Sequence, residues 1–139
     1  EFMRLPFPDT SVSTVIFNAS FHYSENYEET LAESLRVLSL NGKIIVMDSP
    51  VNHSSESGEQ MAAERKSAFL SRYGFASDSL KSKNYLTYQG MDELGKTQGV
   101  AWRHVRPFYG VRWALRPLWA RLRGRREPAE FGLWLGARA

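Results

Sequence analysis

The chain has 139 residues, enough for one domain but few for a complete doubly wound α/β fold. Its 42% hydrophobic and 24% charged residues are typical of a globular protein, and no apolar run is long enough to span a bilayer. With no cysteine and three scattered histidines, disulfides and thiolate sites are excluded, no metal site is expected, and the expected compartment is the cytoplasm.

In chain order, Glu1-Phe2 ahead of Met3 reads as a cloning remnant, with no signal-peptide profile behind it. The continuously apolar run Val15-Ile16-Phe17 predicts a strand over Thr14–Ala19, covered on both faces. Asn26 can cap the next helix, with Glu29 three residues on, and Tyr27, Leu31, Leu35 and Leu38 make one apolar stripe. That helix is predicted over Tyr27–Ser39, stopping at Asn41-Gly42, where a positive φ is cheap. A second buried strand follows over Lys43–Asp48. Asn52–Gly58 is polar and serine-rich, hence a loop, and a helix over Glu59–Tyr73 ends at Gly74. Ser77–Tyr88 reads as loop, Gly90–Thr97 as a short helix closed by Gly99, and Ala101–Phe108 as a strand. Tyr109–Gly124 has helical apolar spacing with a break at Pro117, and Phe131–Ala137 is the last strand.

The segment LPFPDTSVSTVIFNASFHYSENYEETLAESLRVLSLNGKIIVMDSP, Leu5 to Pro50, is an α/β unit of a parallel sheet. It resembles the middle of a class I S-adenosylmethionine-dependent methyltransferase, in which an LPF-x-D segment enters the fourth strand and a helix ending in RVL leads to the fifth. The resemblance implies a partial Rossmann-like fold holding strands four to seven with their helices, the final two strands antiparallel. It also implies a carboxyl-terminal half, because the glycine-rich turn and the ribose-binding acid of the family lie earlier. The expected organisation is one partial domain over residues 1–139, with a strand–helix–strand core at 3–58 and substrate-side helices with the final strand pair at 59–139. Two positions depart from the family pattern: Ser13 stands where an aspartate is common, and Asn41 stands where a proline is common.

In an open α/β sheet, ligands bind beyond the carboxyl ends of the strands, which selects Asn18–Tyr23 and Asp48–His53. By resemblance, Asn18, Ala19 and Ser20 flank the methionine end of S-adenosylmethionine, Leu5 and Phe7 lie near its adenine, and Phe21, His22 and Asp48 face the acceptor. His22 is the candidate catalytic base, since a histidine titrates near working pH. His53 reads as solvated.

The arginines from Arg103 to Arg126, interleaved with Trp102, Phe108, Tyr109, Trp113 and Trp119, admit three readings: a helix packed on the sheet, a membrane-proximal or substrate-lid face over 102–126, or a nucleic-acid surface. A net charge of +3 is too small to argue for nucleic acid. The resulting expectation is a methyltransferase-like protein with a small or lipid-like acceptor, inactive as this chain alone. The second reading is a non-enzymatic binding or assembly module. Either way the strand at 14–19, having lost its family neighbour, is expected to pair two copies into a homodimer.

Overall fold

The computed structural model describes residues 2–76 and 81–139. The expected Ser77–Tyr88 loop therefore lies partly outside the described residues, and its last part is ordered into a strand.

The chain opens with a segment tied down by one side chain. Arg36 donates to the carbonyls of Leu5 and Phe7 and pairs with Asp9 at 2.5 Å and Glu33 at 2.7 Å. Glu33 also accepts from the Leu5 backbone N–H at 2.7 Å. Strand β1 (Val12–Asn18) follows, ending where Ala19 turns to φ 50°. A 3-10 turn over Phe21–Tyr23 leads into helix α1 (Tyr27–Val37), whose Asn26 cap accepts from the N–H groups of Glu28 and Glu29 as expected. The predicted stripe faces inward: Leu31 and Leu38 are fully buried and Leu35 nearly so, with Tyr27 packed at the rim.

The helix does not run on to an Asn-Gly stop. It ends at Val37, and strand β2 (Leu38–Met47) begins at once, so that Asn41-Gly42 lies inside a strand. Gly42 is needed there for space. A Cβ would stand 2.5 Å from the Leu38 side chain and 3.0 Å from the Ser13 carbonyl, at the register shift between Val12↔Leu38 and Thr14↔Lys43.

Helix α2 (Ser55–Tyr73) starts four residues earlier than predicted, because Ser54 accepts from Ser57 N–H as its cap; it ends on Gly74 at φ 76°. A parallel pair the sequence did not announce, β3 (Val51–Asn52) and β4 (Leu86–Thr87), precedes helix α3 (Tyr88–Gln98), capped by Thr87 and closed by Gly99. Strand β5 (Val100–Val105), the short helices α4 (Val111–Ala114) and α5 (Arg116–Leu122), and strand β6 (Leu133–Arg138) complete the chain. The predicted break near Pro117 falls between α4 and α5.

The main sheet has the order β1-β2-β6-β5, with β1 parallel to β2 and the β6 pairings antiparallel. This is the α/β arrangement expected, with an antiparallel final pair. Its core lies on one face, where Phe17, Ile44, Val46 and Trp134 meet Leu31 and Leu35 of α1 and Met91 and Leu94 of α3. Among the described residues the opposite face is open. Ile16 is 59% exposed, which corrects the expectation of a β1 covered on both sides. The packed-helix reading of the arginine segment fails in the same way: no residue of α4 or α5 is buried, and Leu118 and Trp119 are about half exposed.

Candidate functional site

At the carboxyl ends of β1 and β2 a cleft of about 1300 Å³ opens. One wall is Ala19, Asp48 and the 3-10 turn bearing His22 and Tyr23; the second is the α2 face with Met61 and Arg65; the third is the α4–α5 region and the segment to Phe131. Ala19 and Asp48, the first residues past each parallel strand, both hold left-handed backbones, at φ 50° and 51°. Two strained non-glycine residues side by side at the mouth of a cleft mark a place where geometry is held against local preference.

Three of the residues singled out from the sequence meet here: Ala19, His22 and Asp48. The others do not line the cleft. Asn18 is exposed and Ser20 half-buried at the edge of the turn, next in sequence to lining residues. Phe21, expected against the acceptor, is a core residue with no exposure, its ring 4.9 Å from Phe17 and 5.4 Å from Tyr27. Leu5 and Phe7 are held against α1 by Glu33 and Arg36. His53 is not simply solvated: it pairs with Glu130 at 3.3 Å and stacks on Tyr88. Among the described residues no three of histidine, aspartate and glutamate are grouped to hold a metal ion. The sequence reading missed the α2 contribution, since Gln60, Glu64 and Arg65 belong to a helix face without apolar period.

His22 is 4% exposed, and its Nδ1 shares a hydrogen bond with Ser49 Oγ at 3.2 Å. Burial, and then the positive charge of Arg65, push its pKa down from 6.5 to about 4. The ring is therefore neutral across the physiological range, a weaker base than the sequence implied. Because the folded protein resists a proton that the unfolded chain accepts, stability falls as pH is lowered from 6.5 toward 4. A shift of this size corresponds to a loss on the order of 3 kcal/mol. Urea titrations between those limits are expected to show the decline, and His22→Gln to remove most of it; a wild-type curve as flat as the variant's would refute the assignment.

Residues 1–46 match the family model described as "Methyltransferase domain". A comparison with curated proteins returns no significant match. Among solved structures, a S-adenosylmethionine-dependent methyltransferase, possible histamine N-methyltransferase, of Thermotoga maritima superposes with TM-score 0.58 at 14% identity, over 99% of this chain and 61% of its own. The YcgJ protein of Bacillus subtilis gives 0.64 at 12% identity, covering 99% and 69%. Geranyl diphosphate C-methyltransferase of Streptomyces coelicolor A3(2), solved with Mg2+, geranyl diphosphate and S-adenosyl-L-homocysteine, gives 0.63 at 12%, covering 100% and 52%. The fold is that of the class I methyltransferases. The chain spans about half to two-thirds of the length of these solved structures.

Proposed function

We propose that this chain is the acceptor-side part of a S-adenosylmethionine-dependent methyltransferase unit, and that methyl transfer to a small or lipid-like acceptor takes place in the cleft beyond β1 and β2. The observation that carries this reading is the convergence of Ala19, His22 and Asp48 on one cleft at the carboxyl edge of a methyltransferase-type sheet. When bound, S-adenosylmethionine supplies an activated methyl group on a sulfonium.

The residues present fit one side of that cofactor. The left-handed turn at Ala19 carries only a methyl side chain, leaving room at the strand end, and Asn18 and Ser20, beside it in sequence and outside the cleft lining, would meet the methionine moiety only at the rim. Neither strand end carries a glycine-rich turn: no glycine stands between Gly42 and Gly58, nor any in the stretch from Asn18 to Asn41. The directional hydrogen bonds such a turn and a ribose-binding acid contribute are therefore not available within these residues, so the chain alone binds the cofactor weakly and is inactive. His22, neutral and held by Ser49, orients the nucleophile by hydrogen bonding and accepts its proton only transiently, as its low pKa dictates. Asp48 faces the same space and can fix a polar group of the acceptor.

Isothermal titration with S-adenosylmethionine is expected to give no saturable heat at micromolar concentration. At millimolar S-adenosylhomocysteine, amide resonances are expected to shift from Asn18 to His22 and at Asp48. Tight stoichiometric binding would contradict the half-site, and shifts confined to another region would contradict the location.

The second reading, an assembly module working through the β1 edge, rests on the exposure of Ile16 and on the absence of any partner for the outer side of β1 among the described residues.

A further inference from the structure

The arginines around the cleft are arranged asymmetrically. Arg65 reaches it from α2, Arg112, Arg116 and Arg123 from the α4–α5 region, and Arg125 from the segment that follows. Among the described residues only two carboxylates line the same space, Asp48 and Glu64, and Glu64 is taken by Arg126 at 2.9 Å. Among the described residues no carboxylate pairs with any of the other five arginines. Arg65 donates to the Tyr23 hydroxyl at 3.2 Å, and Arg116 lies 4.0 Å over the Trp113 ring, so both are oriented without being neutralised. Five like charges from three chain segments repel one another across a concave surface. Such an arrangement is stabilised by an anion, and the planar guanidinium fork matches carboxylate and phosphate oxygens.

The same cleft has an apolar lining in Met61, Trp119 and Phe131. Its volume of about 1300 Å³ exceeds what a small oxyanion fills. We propose that the cleft binds an acceptor carrying a phosphate or carboxylate head on an apolar body, with the head held by the arginines and the body against Met61, Trp119 and Phe131. This rests on the methyltransferase reading for the word acceptor, but not for the binding.

The test uses the purified chain and three probes below their micelle concentrations: decyl phosphate, inorganic phosphate and decyl maltoside, followed by titration calorimetry and tryptophan fluorescence. Decyl phosphate is expected to bind saturably and at least tenfold more tightly than either of the others. The double variant Arg112→Gln/Arg125→Gln, at two exposed positions, is expected to weaken decyl phosphate at least tenfold while leaving decyl maltoside unchanged. Arg72→Gln/Arg103→Gln removes the same charge outside the cleft and should have little effect. Equal binding of decyl maltoside, equal binding of inorganic phosphate, or equal weakening by the two double variants overturns the proposal. So does binding to phosphatidylglycerol vesicles without binding to monomeric decyl phosphate, which would make the arginine face a membrane surface. If decyl phosphate fails while S-adenosylhomocysteine still shifts Asn18–His22, the acceptor class falls and the methyltransferase reading stands; the reverse result removes the latter alone.

Discussion

Leu31→Ala is expected to destabilise the protein by about 2–5 kcal/mol, read as a lower midpoint in urea with little change in slope. Leu31 has no solvent exposure and sits where α1 meets the sheet core of Phe17, Ile44 and Val46. Truncation removes the transfer energy of the side chain and leaves a cavity between α1 and the sheet. A loss of well under 1 kcal/mol would show that α1 does not pack as described. Glu33→Ala, off the apolar stripe, is expected to act on the amino-terminal segment instead of the core. The Arg36 guanidinium and the Leu5 N–H hold the Glu33 carboxyl at a pKa of about 2, and its loss should free residues 4–9 to proteases while sparing the core. Ala32→Ser, at an exposed position one residue after Leu31, serves as the neutral comparison.

The second large effect concerns mass. Light scattering at micromolar concentration is expected to give twice the chain mass. Strand β1 pairs only with β2 among the described residues, leaving its other side without hydrogen-bond partners, and the open face beside it exposes Ile16. An edge that is neither charged within the strand nor interrupted by proline pairs readily with a copy of itself. Because the Ile16 side chain points away from the core, Ile16→Lys should remain folded and become monomeric. A wild-type monomer refutes the association outright, whereas a folded dimeric Ile16→Lys moves it to another surface.

The elements that could be read from residues alone are those whose signals are local. Asn26 with Glu29, the Leu31-Leu35-Leu38 spacing, Gly74 and Gly99 as helix ends, and the break near Pro117 all act within one or two turns. What escaped was set at a distance. Asn41-Gly42 has the composition of a stop, yet Gly42 answers to Leu38 and Ser13 across the β1–β2 register shift. Gly58 looks like part of a loop but belongs to the first turns of α2, with its missing Cβ leaving space for the Tyr85 ring. In the site, the rule about carboxyl ends located Ala19, His22 and Asp48, while the depth of Phe21 depends on a 3-10 turn with no strong sequence mark. The arginines were conspicuous as composition; their convergence with Arg65 required the third dimension.

Strand β6 is the last element in the chain and yet an inner strand of the sheet, between β2 and β5. Arg138 at its end donates to the carbonyls of Leu35 and Leu38, about a hundred residues away in sequence. The pairing of β1 with β2 can therefore precede the arrival of β6, and the sheet closes through contacts of high sequence separation, which are slow to form. Deleting Leu133–Arg138 would remove the strand that joins β2 to β5, so six residues hold the two parts of the sheet together.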